Sequence, residues 1–332
     1  MRILFLGGTG NLSAECAALL HGQGHQITLL TRGRSPVPGH YHSIHADRKH
    51  AADLEAAING ESFDVVINFI GYDLEDVQLD YALFRNRTAQ YIFISSATVY
   101  QKPPPRLPIT EATPLQNPWW DYARKKIACE QWLMERWSQD HFPVTIVRPS
   151  HTYSHRWIPN AVSSSTYNVA ARLQAGKPVF VPDDGENPWT LTAAQDFAVG
   201  LAGLAGQRAA LGQAYHITSD EVLTWNQIYA IIAAALGVRE PCVLRIPTDF
   251  ICQAVPHLTG NLKGDKSHPA VFDNSKIKHA VPQFHCAIPF AAGVARSVAW
   301  LRAHPGQQNL SDSVEHAIEE VVTRWQEAGN AA

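Results

Sequence analysis

One stretch near the start constrains this chain more than any other: Arg2-Ile3-Leu4-Phe5-Leu6-Gly7-Gly8-Thr9-Gly10-Asn11-Leu12-Ser13. Its unbroken apolar run, of strand length, reads as a strand buried on both faces, the habit of parallel sheets. The run passes at once into three glycines within four positions, then into a helix-like segment ending near Gly22 or Gly24. Glycines at a strand-to-helix turn let backbone approach a ligand closely, and the first free N–H groups of the helix favour phosphate. Gly7, Gly8, Thr9, Gly10, Asn11 and Leu12 are therefore candidate contacts to a dinucleotide pyrophosphate, against the alternative of a glycine-rich turn without a ligand. The third glycine of the G-x-G-x-x-G pattern is replaced by Ser13, small enough for helix–strand packing and able to turn its hydroxyl to phosphate or to helix backbone.

The first half of the chain keeps this rhythm. Segments 2–8, 26–32, 42–47, 63–71, 90–96 and 143–150 read as strands, with helical segments between them, among them 11–24 and "AADLEAAING", which Gly60 stops. Strands alternating with helices close through right-handed crossovers into an α/β, doubly wound parallel sheet. After Pro149 come a polar, aromatic loop, a helix in "AVSSSTYNVAARLQAG", a short strand "KPVFVP", a helix "DFAVGLAGLAG" and a strand "QAYHITS" able to rejoin the main sheet. From about 222 the chain is more helical, with "AIIAAALGV" as a buried helix and "RSVAWLRAHP" as an amphipathic helix on the core; the last ten or so residues are expected to fray. We expect a dinucleotide-binding domain of 1–155 plus about 190–222, and a smaller, mostly helical substrate domain of about 156–189 plus 223–325.

Composition excludes several classes. A formal charge of −3 over 332 residues, with no basic stripe, argues against a nucleic-acid partner. The 5 cysteines are scattered without a C-x-x-C, which points to reduced thiols in a cytoplasmic protein. The N-terminal apolar run is too short for a signal peptide, and no apolar stretch reaches the ~18 residues of a membrane helix, so no membrane partner is expected. His40, His42, His45 and His50 lie close in sequence, but without the usual Cys or carboxylate partner no metal is expected. "KPPPRLP" (102–108) is a rigid extended stretch placed to form one wall of a pocket.

Two signals speak to chemistry. At the end of the second strand, where an acidic residue would hold a ribose 2′-hydroxyl, the chain reads Thr31-Arg32-Gly33-Arg34. Arg32 and Arg34 suit a 2′-phosphate, so NADP is preferred over NAD, with ordinary surface arginines as the alternative. Asp47, closing the third strand, would meet the adenine edge or stay solvated. "DYARKKIACE" (121–130) carries Tyr122 and Lys126 one helical turn apart. Alone, the pair is either catalytic or two polar residues on a solvated helix face.

"GGTGNLS", "FISSATVY", "YARKK" and "VRP", in this order and spacing, resemble the extended short-chain dehydrogenase/reductases, the group of UDP-galactose epimerase and the sugar dehydratases. The second half, with "WTLTAAQDFA", "HITSDEVLTWNQIY" and "GDKSHPAVFDNSKIK", resembles a branch described as an NAD-dependent epimerase/dehydratase family. The resemblance implies a Rossmann fold, an NAD(P) cofactor, and hydride transfer at a secondary alcohol or ketone of a carbohydrate-like small molecule. In that scheme Tyr122 is the general acid/base, and Lys126 lowers the phenol's pKa from near ~10 and bonds the nicotinamide ribose. Ser96, which by itself reads as a turn or cap residue, holds the substrate oxygen. By the same resemblance Phe69, Ile70 and Gly71 lie under the cofactor, and Pro149 and Ser150 near the nicotinamide. His151, Tyr153, Trp119 and Trp120 are candidates to face the substrate, although such residues are as often core.

The chain departs from the family pattern twice. The segment from Gly71 to Tyr91 is short and lacks the N-x-x-G-T run whose Asn supports the lysine, leaving Asn86 as a weak stand-in. The same helix serves the family's four-helix interface, so a homodimer is an expectation of the resemblance alone. Seven residues before Asp196, where the sugar-nucleotide enzymes carry a diphosphate-clamping Arg, stands Trp189, which can stack on a sugar face. This favours a free sugar, a sugar acid, a glycoside or another secondary alcohol or ketone over a nucleotide sugar. The rivals to an oxidoreductase or epimerase are a non-catalytic NAD(P)-binding redox sensor and an RNA-binding relative.

Overall fold

In the computed structural model the sheet is built from β1 (Arg2–Leu6), β2 (Gln26–Thr31), β3 (His42–His45), β4 (Phe63–Asn68), β5 (Thr88–Ile94) and β6 (Val144–Pro149). Between these strands lie α1 (Ser13–Gly22), α2 (Ala51–Ile58), α3 (Leu74–Phe84) and α4 (Asp121–Asp140). Then follow β7 (His151–Tyr153), α5 (Asn168–Gln174), β8 (Val179–Pro182), β9 (Pro188–Trp189), β10 (Leu191–Ala193) and α6 (Ala194–Leu204). β11 (Gln213–Ile217), β12 (Leu223–Thr224), α7 (Trp225–Leu236) and β13 (Val243–Ile246) complete the labelled elements. The structure describes residues 1–58, 60–163 and 166–330. Asn59, Ser164 and Ser165, which fall in two of the expected helices, and 331–332 lie outside the described residues.

β11 does rejoin the main sheet, giving seven parallel strands in the order β11-β6-β5-β4-β1-β2-β3. The order reverses between β1 and β4, and a ligand crevice opens above the carboxyl ends of strands at such a switch point. Strand alternation sends Ile3, Phe5, Val65 and Ile67 to the face covered by α1 and α6. Leu4, Leu6, Val66 and Phe93 go to the other face, with Leu54, Val77 and Leu133 from α2, α3 and α4. Burying each such side chain contributes about 1.5–3 kcal/mol. A third apolar cluster, around Trp189, Trp225, Tyr229 and Phe290, holds together segments that lie mostly downstream of β6.

α4 carries the Tyr–Lys pair, and its buried stripe is Ala123, Lys126, Cys129, Glu130 and Leu133, the spacing of one helix face. Asp121 sits in the first turn, where the helix dipole favours an anion, and His141 ends the helix in a left-handed conformation at φ 57. Glu130 is tied to Arg148 of β6 at 2.5 Å, which pins α4 to the sheet. The expected amphipathic helix is Phe290–Ala303, burying Phe290, Val294, Val298 and Leu301. The last helix runs from Asp312 through Asn330, farther than the expected fraying allows, because Ile318 and Val321 are buried and Trp325 packs on Phe250 with ring centres 5.0 Å apart.

Candidate functional site

The glycine turn sits at the switch point. Gly7 and Gly8 have φ of 95 and 122, values that exclude most side chains. A Cβ on residue 8 would also lie 2.7 Å from Leu29 Cδ2. Gly10 donates its N–H to Ser13 Oγ at 3.0 Å, so the Ser13 hydroxyl is turned to backbone. Leu12 starts α1 without a side-chain cap; the Ala14 N–H goes to the Gly10 carbonyl at 3.1 Å, while those of Ser13 and Glu15 have no partner among the described residues. Asn11 accepts a hydrogen bond from Ser154 through Oδ1, while its Nδ2 is buried with no partner. A cavity of about 320 Å³ extends from this turn along Thr9, Arg32, Arg34, Asp47 and Ile70. The Lys49 N–H first, then Arg32 and other nearby cations, hold the half-buried Asp47 carboxyl below its ordinary range. Phe69 stacks on Phe5 with ring centres 5.7 Å apart, closing the floor beside the turn. Arg48, in the wall of the same cavity, belongs to a buried network with no signal in the sequence: it donates to Asn68 and Asp80, and Tyr91 donates to Asp80.

Tyr122, Ser96 and Lys126 come together at the carboxyl end of β5. The Tyr122 phenol and Ser96 line one cavity wall, and the Ser96 hydroxyl accepts from the Thr98 N–H at 3.2 Å and from the Thr98 hydroxyl at 3.0 Å, the cap role its position suggests. Lys126 is buried and donates to the carbonyls of Gly71 at 2.6 Å and Ile94 at 2.8 Å. Burial lowers its ammonium to about 8. Burial pushes the Tyr122 phenol up to about 12, with the neighbouring Ser96 hydroxyl opposing the rise and Tyr72 and Asp265 adding to it. The expected lowering by Lys126 is absent from this arrangement. The ammonium is engaged by two backbone carbonyls and lies 5.8 Å from the centre of the Tyr122 ring. Asn86 plays no part: it is exposed in the turn before β5, at the far end of the strand from Lys126.

A second cavity, of about 250 Å³, opens beside the phenol, with Trp120, His151, Trp189, Lys266 and Phe272 in its walls. Pro149 and Ser150 border it too, and Ser150 Oγ lies 3.0 Å from Thr192 Oγ1. Trp189 donates its indole N–H to His151 Nδ1 at 3.3 Å and packs on Trp225 with ring centres 5.1 Å apart. Two expected substrate residues do not reach this cavity. Tyr153 points into the core against Phe290, its hydroxyl 2.0 Å from where a Cβ on Gly293 would be. Trp119 is 46% exposed under the Lys263 ammonium, and the neighbouring Trp120 lines the cavity instead. Asp265 and Lys266 were missed, since they belong to a π-helical turn, Leu262–Lys266, that no simple periodicity announces. "KPPPRLP" backs that turn: Lys102 pairs with Asp265 at 3.2 Å.

Among the described residues no three His, Cys, Asp or Glu side chains gather as a metal site, and no helix is long and apolar enough to cross a membrane. A family model described as NAD dependent epimerase/dehydratase family matches residues 3–217. The chain is 26% identical over 239 residues to 2'-dehydrokanamycin reductase of Streptomyces kanamyceticus, a match covering 71% of this chain and 67% of that one. It is 27% identical over 268 residues to chloroplast stem-loop binding protein of 41 kDa b of Arabidopsis thaliana, covering 75% and 67%. Among solved structures it is similar to the epimerase Mth375 of Methanothermobacter thermautotrophicus, with a TM-score of 0.75, 15% identity, and 92% and 93% of the chains covered. It is also similar to UDP-glucuronic acid 4-epimerase of Bacillus cereus in complex with UDP-glucuronic acid and NAD, with a TM-score of 0.72, 15% identity, and 92% and 100% covered.

Proposed function

The chain belongs to the NAD-dependent epimerase/dehydratase family, and from that premise we propose that it is an NAD(P)-dependent oxidoreductase or epimerase acting at a secondary alcohol or ketone of a small carbohydrate-like substrate. The observation that carries the reading is that Tyr122 and Ser96 line one aromatic-walled cavity, with Lys126 one helical turn from the phenol ring. A nicotinamide dinucleotide, when bound, would take or give the hydride. The residues fit such a group: a side-chain-free cradle at Gly7 and Gly8, an unpartnered Asn11 amide, and two arginines beside the groove. Arg32 and Arg34 favour NADP, whose extra phosphate each can bond bidentately.

Tyr122 is protonated at neutral pH. It is therefore set to donate its proton to a carbonyl oxygen that Ser96 also holds, the direction a reduction needs. Likeness to a reductase, 2'-dehydrokanamycin reductase, supports that direction. For the reverse step Lys126 would have to leave its two carbonyl partners before its charge could bring the phenol down. Trp189 in place of a clamping Arg, buried among aromatics, supports a substrate without a nucleotide. The five unpaired cysteines fit a reducing, cytoplasmic setting. The test is a panel of sugars, sugar acids and nucleotide sugars assayed for nicotinamide oxidation and reduction. A substrate turned over by wild type and not by Tyr122→Phe supports the reading, and full activity of Tyr122→Phe overturns it. A second reading, RNA binding, rests on the likeness to the chloroplast protein; the charge of −3 opposes it, and a gel-shift assay with stem-loop RNA decides it.

A further inference from the structure

We propose that Lys266 and His151 form a carboxylate-binding subsite in the aromatic cavity, so that the substrate is an acidic one, a hydroxy or keto acid of about sugar size. This rests on the oxidoreductase reading and narrows its substrate class. The tautomer of His151 is set by its neighbour. An indole N–H can only donate, so His151 Nδ1 accepts from Trp189 and the neutral ring carries its proton on Nε2. That Nε2 is buried and has no partner. An unanswered buried donor is costly, and in a cavity wall it is a place kept for a ligand oxygen. Burial, and then the Lys266 charge, keep the ring neutral by holding its pKa well below the ordinary value.

Lys266 lines the same cavity and is 3% exposed. Its ammonium has one polar partner among the described residues, Asn261 Oδ1 at 2.7 Å. Asn261 is itself held by the carbonyls of Ala161 and Val162 at 3.2 Å each. The neighbouring carboxylate offers little compensation, because Asp265 is taken by Lys102. The charged side chains in the cavity wall are thus a paired anion and an unpaired, buried cation. Burying a cation without a counter-ion is strongly unfavourable, and burial lowers Lys266 only to about 8, which leaves it mostly charged at pH 7. One carboxylate would answer both groups, accepting from Nε2–H of His151 and from the ammonium. At about 250 Å³ the cavity falls below the ~300–1,000 Å³ usual for drug-sized ligands, which suits one small acid.

The test uses D-glucuronate and D-gluconate as acidic probes and D-glucose as the neutral one. Binding is read by quenching of the tryptophans that line the cavity and by thermal shift. Wild type should bind at least one acid at least tenfold more tightly than glucose, and Lys266→Met should lose that margin while its affinity for glucose stays within twofold. Equal affinity for acids and glucose, or no binding of either acid, overturns the proposal without recourse to any variant. Turnover is scored separately. Tight acid binding with no hydride transfer would leave the subsite standing and count against the oxidoreductase reading; turnover of neutral sugars alone would do the reverse.

Discussion

The dinucleotide groove and the aromatic cavity are made in opposite ways. The groove is a backbone device: a turn at Gly7–Gly10, open N–H groups of α1, and carboxyl ends of β1, β2 and β4 that neighbour one another in the sheet. The cavity is a side-chain device, with Ser96, Trp120, His151, Trp189 and Lys266 arriving from five separate segments. A backbone device tolerates many sequences around a few fixed glycines, whereas a side-chain device changes its ligand with each substitution. That is the physical reason one sheet serves many reactions.

The largest effect should fall on the cavity side alone. Tyr122→Phe removes the hydroxyl proposed as proton donor but touches nothing in the groove, so kcat should fall ~10²–10⁴-fold, the usual worth of general acid–base catalysis. Cofactor affinity, read by nicotinamide fluorescence, should stay within about twofold. Equal losses in kcat and cofactor affinity would mean that the two regions are not separable at this residue.

Lys126 stands on the border, and its contribution should appear in stability. It titrates near 8 in the folded chain against an ordinary 10.5, so between those values the unfolded chain holds a proton that the folded chain has lost. Stability from this group therefore rises with pH through that window, by about 3 kcal/mol in all, and is lowest below pH 8, where the buried ammonium is charged in both states. Urea melts of wild type and Lys126→Met at pH 7.5 and pH 10 isolate the effect, since other titrating groups cancel in the difference. The balance should move toward wild type at the higher pH; an unchanged difference would mean that Lys126 is not paying for a buried charge.

Gly8→Ala is the matching probe of the groove. With φ at 122, a side chain costs about 1–3 kcal/mol in strain, and the Leu29 methyl must also yield. Cofactor affinity should drop at least tenfold while the tryptophan response of the cavity to D-glucuronate is unchanged. A parallel loss at both sites would show that the cavity is assembled only on a correctly formed turn.

The same contrast explains what could be read from the sequence. The strand positions of "RILFLGG", "FDVVINFIG" and "VTIVRP" were legible because strands buried on both faces leave near-continuous apolar runs. The Tyr122–Lys126–Ser96 cluster followed from helix spacing and strand ends once the family pattern was seen. The cavity was legible only in part. His151 and Trp189 were found, but nothing in local sequence distinguishes Trp119 from Trp120, because which indole turns inward depends on how the chain enters α4. Tyr153 was misplaced because β7 is short and the Phe290–Ala303 helix packs on it through Gly293, a contact 140 residues away in sequence. Asp265 and Lys266 had no periodic signal, since a π-helical turn matches neither a strand nor an α-helix.

The smallest expected effect lies at the outer end of the groove and concerns selection, not catalysis. Arg32 and Arg34 are exposed, and Asp47 lies close enough for both to depress its carboxyl pKa, so the corner carries two cations and one anion. A ribose 2′-phosphate would gain from the pair, while a bare 2′-hydroxyl would gain little. Exposed contacts of this kind are each worth about a kcal/mol and weaken with salt. Arg32→Ala should therefore lower NADPH affinity about tenfold and leave NADH affinity within twofold, with Arg34→Ala smaller in the same direction, and 0.5 M salt should erase most of the difference. A wild type that binds both cofactors equally, or a variant with an unchanged ratio, would return these arginines to the ordinary surface and leave the groove selective for the dinucleotide backbone only.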